Sequence, residues 1–233
     1  MAKLLVIQHL VHDHLHQLAG PIADAGFDIV TWCTFADPEP PAGSEDVDAI
    51  ISMGGDDSAY DEAGIPWIRA ERELLERALE RGTAILGVCF GAQTLARAAE
   101  GRGFRAERRE IGWTKVEFTE AAMDDPIGRA LVGSPDVFQF HYDTFSLPDG
   151  AVLLGEADGM VQAYRLGDRA WGIQYHVEAD PGLIYGWIGT YLDELLDNDA
   201  DPVQIEVDTR RYWRQYRQVA WDVSEAFVKV ALG

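Results

Sequence analysis

The sequence predicts an α/β fold in which a mixed, largely parallel central sheet is flanked by helices. Up to residue 100, short apolar segments of strand length alternate with amphipathic helical segments, the order typical of a doubly wound parallel sheet. Beyond residue 113, short β-branched and aromatic segments are separated by glycine turns, which is typical of antiparallel or mixed strands. A chain of 233 residues that is 47% hydrophobic is long enough to bury the core of one such domain.

The first half of the chain supplies the parallel strands and their helices. Aliphatic and β-branched residues predict strands at 3–8, 27–35, 48–53 and 84–86. Apolar side chains recur at helical spacing over 15–25 and 66–81, which predicts two helices. Gly26 and Gly82 follow these helices directly, and Pro66 occupies a favourable first position in the second.

The second half is predicted to contain shorter strands, at 114–119, 137–143, 151–154, 161–164 and 171–175. A helix is expected from Pro181, and Asp208 is the predicted cap of a final helix that carries Tyr and Trp residues along one stripe. We therefore expect one domain over 1–195 and a helical extension over 196–233 that packs on the same domain. A partner-binding face is the alternative interpretation of the stripe.

The composition excludes several classes of protein. The formal net charge of −21 argues against nucleic-acid binding and against binding to anionic membranes. The only two cysteines, Cys33 and Cys89, form no disulfide framework, which favours a reducing, cytoplasmic compartment, and Cys33 is expected in the core of the second strand. We identify neither a signal peptide nor an apolar run approaching the roughly 18 residues that a membrane-spanning helix needs.

A strand-to-helix turn around Cys89 carries the strongest functional signal. The sequence Gly87-Val88-Cys89-Phe90-Gly91 has the Gly-x-Cys-x-Gly pattern of a nucleophile elbow. Glycine is needed on both sides because the chain passes close to itself at so tight a turn. The helix N-terminus favours a thiolate at Cys89, and the N–H of Phe90 is expected to face a developing oxyanion. The alternative is a buried structural cysteine.

Two other segments fall at predicted strand ends. Gly54 and Gly55 follow the third strand and leave backbone N–H groups open, which suits the second half of an oxyanion hole, although an ordinary turn explains them equally well. His176 and Glu178 follow the last strand, and residues two apart in an extended segment point the same way. Glu178 is therefore expected to orient His176 as the base for a cysteine nucleophile.

Four histidines lie within eight residues of each other near the N-terminus, and they are His9, His12, His14 and His16. If His12 and His16 shared a helix face, the group would resemble a metal site. The segment lacks a nearby cysteine and lacks the His-Glu-x-x-His pattern, so a polar loop is favoured and no metal or cofactor is expected.

Together these motifs resemble the class I glutamine amidotransferases, whose nucleophile motif is Gly-x-Cys-x-Gly-x-Gln and whose base motif is His-Pro-Glu. The chain is most similar to the stand-alone branch that resembles the glutaminase of GMP synthase, and the resemblance extends over about residues 3–195. It implies a flavodoxin-like three-layer fold, hydrolysis of the glutamine γ-amide through a γ-glutamyl thioester, and transfer of ammonia to a separate synthase subunit. No cofactor is implied.

The resemblance also implies roles for individual residues. The catalytic triad would be Cys89, His176 and Glu178, and the oxyanion hole would be formed by the N–H groups of Gly55 and Phe90. The substrate pocket would be lined by Gly54, Gln93, His141, Tyr142 and Asp143, with Asp143 facing the α-amino group. Two positions depart from the family pattern, because Asp56 replaces a common proline after the paired glycines and Val177 replaces the proline of the base motif.

Three functions therefore stay open from the sequence. L-glutamine hydrolysis is the first, and hydrolysis of another γ-glutamyl compound, such as a peptide or an amine conjugate, is the second. A catalytically silent regulatory or binding subunit is the third, and the intact Cys89, His176 and Glu178 argue against it. Dienelactone-hydrolase-like chemistry is disfavoured because it gives no role to the paired glycines or to Glu178.

Overall fold

The structure is a computed structural model, and it describes residues 1–198 and 200–233. The described residues form ten strands, which are β1 (Lys3–Gln8), β2 (Asp28–Cys33), β3 (Ala49–Ser52), β4 (Ala84–Val88), β5 (Gly103–Thr114), β6 (Glu117–Phe118), β7 (Val137–Phe145), β8 (Val152–Ala157), β9 (Met160–Leu166) and β10 (Ala170–Ile173).

The helices of the described residues begin with a short 3-10 turn at His16–Leu18 that leads into the first α-helix. The α-helices are α1 (Ala19–Ala25), α2 (Pro66–Arg81), α3 (Phe90–Ala98), α4 (Glu120–Asp124), α5 (Pro126–Leu131), α6 (Pro181–Thr190), α7 (Leu192–Asp197) and α8 (Pro202–Leu232).

Eight strands form the central sheet, in the order β2-β1-β3-β4-β10-β9-β8-β6. The pairs from β2 to β10 are parallel, and the pairs from β10 to β6 are antiparallel. The prediction of a mixed, largely parallel sheet flanked by helices is therefore confirmed. The carboxyl ends of β3, β4 and β10 lie side by side, since Ser52 pairs with Gly87 and Ile173 pairs with Val88.

The sheet is buried on both faces, and alternate residues of its strands face different layers. Leu4 and Val6 belong to one core with α1 and α8, whereas Leu5 and Ile7 belong to a second core with α2 and α3. Burial on both faces explains why these parallel strands read as continuous apolar runs. Cys33 lies on the edge strand β2 and is only half-buried, so its predicted place in the core is wrong.

The segment after α3 differs most from the prediction. The long strand β5, which pairs with β7 in a separate two-stranded sheet, was not predicted, because its charged and exposed residues hide a strand pattern. The strand predicted at 114–119 is reduced to the two-residue β6. The ladder of β5 is interrupted between Arg105 and Glu110 by a bulge or irregularity in the register.

The final helix begins at Pro202 and is capped by Asp201, whose carboxylate accepts from the N–H groups of Val203 and Gln204. The predicted start at Asp208 is therefore wrong, because the proline at the first helical position sets the beginning earlier. Helix α8 contacts α1 and α5 and buries Tyr216 and other apolar residues against the domain. The helix expected after Pro181 divides into α6 and α7, and residue 195, the predicted domain boundary, lies within α7.

No helix among residues 1–198 and 200–233 combines the length and apolar character that membrane crossing requires.

Candidate active site

Cys89 lies at the turn between β4 and α3, with a strained backbone at φ 51° and ψ −106°. The turn is held by main-chain bonds, since the N–H of Cys89 donates to the Ile173 carbonyl oxygen at 2.8 Å. A Cβ on Gly87 would lie 2.5 Å from the Gly91 carbonyl oxygen, and a Cβ on Gly91 would overlap the main chain of Ser52. Both glycines are thus required, and the side chain of Cys89 is 4% exposed.

His176 and Glu178 approach each other through a turn after β10. Nδ1 of His176 and Oε1 of Glu178 are 2.8 Å apart. The expected extended backbone is wrong, because the N–H of Ala179 donates to the His176 carbonyl oxygen at 3.1 Å and closes a tight turn at Val177. The hydroxyl of Tyr216 on α8 also donates to this carbonyl, at 2.9 Å. The turn therefore brings the two side chains together without the proline of the family motif.

The electrostatic environment favours a proton on His176. Burial alone would lower the pKa of its imidazole, but the charges of Cys89 and Glu178, together with hydrogen bonds to both side chains, raise that pKa well above its usual value. Glu178 has no exposed side-chain surface, so its carboxylate is held against the ring. The arrangement suits an imidazolium facing a thiolate.

An amide side chain contacts the sulfur of Cys89. Nε2 of Gln174 lies 3.8 Å from Sγ of Cys89, and Oε1 of Gln174 accepts from Nε2 of Gln93 at 3.4 Å. Gln174 is fully buried beside His176, and the sequence analysis missed it. Its place two residues before His176, in a strand end already assigned to the site, was the available signal.

The Gly54–Gly55 turn is fixed by a buried network that the sequence analysis also missed. His9 contacts the Gly54 carbonyl oxygen through Nδ1 at 3.0 Å and Glu71 through Nε2 at 2.8 Å. Ser52 donates to the other oxygen of Glu71 at 2.6 Å. Burial lowers the pKa of His9, but the charge and hydrogen bond of Glu71 outweigh that effect and raise it. Both ring nitrogens face acceptors, which favours the protonated form of His9, and the ring anchors this turn.

The paired glycines also make room for the histidines around them. A Cβ on Gly54 would lie 2.9 Å from Cε1 of His176, and a Cβ on Gly55 would lie 2.9 Å from Cβ of His9. The same Cβ position on Gly55 would lie 3.4 Å from Cγ of Phe90, the residue after Cys89. The oxyanion roles of Gly55 and Phe90 stay predictions, and Phe90, as the first residue of α3, lacks an intrahelical acceptor for its N–H.

A cavity of about 310 Å³ opens above the cysteine. It is lined by several of the predicted site residues, namely Gly55, Cys89, Gln93, His141, Tyr142 and Asp143. Two of them are turned toward the main chain, because Nε2 of Gln93 and Nδ1 of His141 both contact the Asp143 carbonyl oxygen at 3.0 Å. They therefore shape the cavity wall by holding the main chain at Asp143, and their contact with a substrate stays a prediction.

The carboxylate of Asp143 is already engaged by protein groups. Ser58 donates to Oδ2 at 2.5 Å, and Nη1 of Arg105 lies 3.3 Å from Oδ1. The same guanidinium stacks over the ring of Tyr142, 4.7 Å from its centroid. The role of Asp143 toward an α-amino group stays a prediction, and Arg105 is a further cavity residue that the sequence analysis missed.

Asp56, the first departure from the family pattern, points away from the cysteine. Its Oδ2 accepts from the hydroxyl of Tyr191 at 2.7 Å, at the junction of α6 and α7. The neighbouring carboxyl of Asp57 has a raised pKa, first because of burial and then because of the charge of Asp56. Both residues line the cavity above Cys89.

The four N-terminal histidines have separate environments. His12 precedes the helix, so the predicted common helix face of His12 and His16 is wrong, and Nε2 of His16 instead contacts the His12 carbonyl oxygen at 2.7 Å. His16 also contacts Asp180 at 3.1 Å, and His14 stacks on His16. Among residues 1–198 and 200–233, no group of three or more His, Cys, Asp or Glu residues is placed to hold a metal ion.

One further buried acid lies behind His176. Asp13 is 3% exposed, and burial raises the pKa of its carboxyl to about 6, an effect that the charge of His176 partly opposes. The indole of Trp187, which packs edge-on against the ring of His176 at 4.6 Å, contacts this carboxyl too. The sequence contains no signal for Asp13, because a single aspartate in a histidine-rich loop is expected to be exposed to solvent.

A mixed sheet with a buried cysteine at its strand-to-helix turn and a histidine–carboxylate pair beside it defines an α/β domain of the amidotransferase class. The family model described as glutamine amidotransferase class-I matches residues 16–184. The chain belongs to the class-I glutamine amidotransferase family, which confirms the resemblance inferred from the motifs.

Individual relatives carry more specific names. The putative glutamine amidotransferase-like protein YfeJ of Salmonella typhimurium is 28% identical over 201 residues, 84% of this chain and 83% of that protein. The glutamine-hydrolysing GMP synthase of Porphyromonas gingivalis is 34% identical over 135 residues, which cover 57% of this chain but 25% of the synthase. A gamma-glutamyl-L-1-hydroxyisopropylamide hydrolase of a Pseudomonas species is 30% identical over 165 residues, 65% of this chain and 53% of the hydrolase.

The fold is also found in solved structures. The crystal structure of a glutamine amidotransferase from Thermotoga maritima superposes with a TM-score of 0.84 at 27% identity and covers 98% of both chains.

Proposed function

We propose that the protein is a cysteine amidohydrolase that cleaves γ-glutamyl amides, with L-glutamine as the default substrate. The observation that carries the proposal is the close approach of Cys89, His176 and Glu178 at the carboxyl edge of the sheet, with a raised pKa on the histidine. Family membership supports it independently, because related proteins are named as glutamine-hydrolysing or γ-glutamyl amide-hydrolysing enzymes.

The proposed reaction has two halves. The thiolate of Cys89 attacks the γ-carboxamide carbon, and N–H groups of Gly55 and Phe90 stabilise the oxyanion. His176 then gives its proton to the leaving nitrogen, the C–N bond breaks, and a γ-glutamyl thioester remains. Water hydrolyses the thioester with His176 as general base, and Glu178 stabilises the imidazolium in both halves. Free thiols at Cys33 and Cys89 suit a reducing, cytoplasmic compartment.

Two fates of the leaving group are supported by different relatives. The likeness to a glutamine-hydrolysing GMP synthase supports ammonia release to a separate synthase subunit. The likeness to the Pseudomonas hydrolase supports a γ-glutamyl amine conjugate or peptide as the substrate, and Asp56 and Tyr142 line an outer cavity that has room for a larger leaving group.

The proposal is tested by measuring glutamate release from L-glutamine and from γ-glutamyl peptides by the purified chain. We expect turnover in the wild type and none above background in Cys89→Ala, with unchanged far-ultraviolet circular dichroism. The Cys33→Ala variant is the matched control, because it removes the other thiol without touching the site, and it should keep full activity. Wild-type-like activity in Cys89→Ala would rule out the mechanism. Absence of turnover in the wild type would favour a silent subunit or one that a synthase must activate.

A further inference from the structure

A second cavity lies between α6 and the loop after β1, and it shares Tyr191 with the cavity above Cys89. Its volume is about 590 Å³, larger than the cavity above Cys89. Helix α6 forms one wall with Leu183, Gly186 and Trp187, and the loop after β1 forms the other with Leu10 and Asp13. The walls are largely apolar, so the cavity suits an uncharged chain rather than an extended polar ligand.

The carboxyl of Asp13 is buried in the wall of this cavity and has one oxygen, Oδ1, without a donor among the described residues. Asp13 lines the cavity and is 3% exposed, and within residues 1–198 and 200–233 no donor reaches its Oδ1. The described lining contains no lysine or arginine that would neutralise it. An unpaired carboxylate is costly in such surroundings, and a ligand that carries a cation would remove that cost.

The second cavity adjoins the candidate active site. Tyr191 lines both cavities, and its hydroxyl donates to Asp56, which lines the cavity above Cys89. Trp187 contacts both the ring of His176 and the carboxyl of Asp13, and the vacant Cβ position of Gly54 is 2.9 Å from Cε1 of His176 and 3.8 Å from Oδ2 of Asp13. A group that leaves toward His176 therefore leaves toward Asp13.

Carboxylates outnumber cationic groups around this junction, where the facing bases are His176 and the second cavity's His12, His14 and His16. Asp56, Asp57 and Glu194 line the outer part of the first cavity. Among the described residues, Arg105 is the one lysine or arginine of that lining, and it is paired with Asp143. The indole of Trp187 and the phenol of Tyr191 offer aromatic faces beside Asp13. Aromatic faces next to a carboxylate form a suitable site for an ammonium group.

We infer that the second cavity is a leaving-group subsite, in which Asp13 binds the distal ammonium of a γ-glutamyl amide formed from a diamine. The inference rests on the proposed function. In the reaction, the thiolate forms a bond to the γ-carbonyl carbon, the C–N bond breaks, and the proton on His176 moves to the leaving nitrogen. The products after hydrolysis by water are glutamate and the free diamine, and no oxidation or reduction occurs.

The test compares substrates that differ in one charge. The purified full chain is assayed at pH 8 with L-glutamine, with the γ-glutamyl conjugate of 1,4-diaminobutane, and with γ-glutamyl n-pentylamide, in which a methyl group replaces the distal ammonium. We expect kcat/KM for the diamine conjugate to exceed that for the pentylamide by about 10- to 100-fold, as a desolvated charged hydrogen bond implies.

Two variants locate the preference. In Asp13→Asn, the ratio of the two kcat/KM values should fall to within about twofold of unity, whereas Asp24→Asn, which removes an exposed carboxylate on α1, should keep the wild-type ratio. The ratio is measured within each variant, so a general loss of activity cancels.

Gly186→Leu fills the cavity without changing a charge, because no atom lies within 4 Å of its Cβ position. It should lower kcat/KM for both long amides relative to glutamine by about tenfold, and it decides the matter if Asp13→Asn fails to fold.

The outcomes separate this inference from the proposed function. Hydrolysis of glutamine with no preference for the charged conjugate, or a preference that survives in Asp13→Asn, would overturn the subsite and leave the amidohydrolase intact. An unchanged ratio of long amides to glutamine in Gly186→Leu would overturn it as well. Absence of turnover on every substrate would remove the proposed function, and the subsite would fall with it.

Discussion

Replacing Gly54 with alanine tests how closely the paired-glycine turn and His176 are fitted. The added Cβ would lie 2.9 Å from Cε1 of His176, about 0.5 Å short of the 3.4 Å at which ordinary contact begins. The φ of Gly54 lies outside the left-handed region, so alanine can adopt its backbone and the clash is the main perturbation. The imidazole cannot retreat freely, because Glu178 holds Nδ1 and Trp187 packs against the ring.

The expected loss is therefore larger in activity than in stability. A displacement of several tenths of an ångström between His176 and Cys89 should lower kcat/KM by about 10- to 100-fold. Overpacking costs about 1 to 3 kcal/mol, and the lower entropy of the unfolded alanine chain offsets about 0.4 to 1 kcal/mol of it. For a chain of this size the melting temperature should fall by about 2 to 8 °C.

The assay is steady-state glutamate release together with thermal unfolding of the same preparations. Gly189→Ala is the matched control, because its Cβ position on α6 has no atom within 4 Å, so activity should be kept and stability should rise by about 0.4 to 1 kcal/mol. A Gly54→Ala variant with kcat/KM within twofold of the wild type would refute the claim that this glycine makes room for His176.

Two further predictions concern the buried charges and the histidines. In Glu71→Gln the partner of His9 is lost while both groups are buried, so the free energy of unfolding near pH 6 should fall by about 3 to 5 kcal/mol in chemical denaturation. The folded-state pKa of His9 is raised, so the stabilisation from this pair is complete below about pH 6.5 in the wild type. It is lost as pH rises through the folded pKa. In Glu71→Gln, the free energy of unfolding should depend less on pH. A wild-type pH profile in the variant would contradict this pairing. A chelator should leave turnover unchanged, and loss of activity on chelation, restored by a divalent ion, would bring back the metal interpretation of the His9, His12, His14 and His16 segment.

Local patterns made the cysteine turn predictable. The glycines two residues before and after Cys89 are required by contacts within a few residues along the chain and by the adjacent strand end. The local sequence pattern is therefore enough to predict them. The buried groups of the site are different, because their pairing is set by tertiary structure. Glu71 contacts His9 across 62 positions of the chain, and although its spacing places it on the buried stripe of α2 with Ile68 and Leu74, that spacing does not name its partner.

The errors have similar physical causes. Strand β5 was missed because its run of arginines and glutamates is exposed and interrupted at a bulge, which removes the alternation on which strand prediction depends. The pair of His176 and Glu178 was predicted from the wrong backbone, since a turn brings residues two apart together as well as an extended strand does. The contact between the two side chains was therefore easier to predict than the backbone conformation that produces it.

The hydrogen bond from Tyr216 to the His176 carbonyl oxygen has a consequence for the order in which the protein is made. The ribosome synthesises Cys89 and the parallel strands first, and the residue that steadies the histidine turn is made only with the last helix. We expect the nascent chain to form most of its sheet before Tyr216 can contact the His176 turn. On the proposed function, the site would therefore be complete only after α8 has docked on the domain.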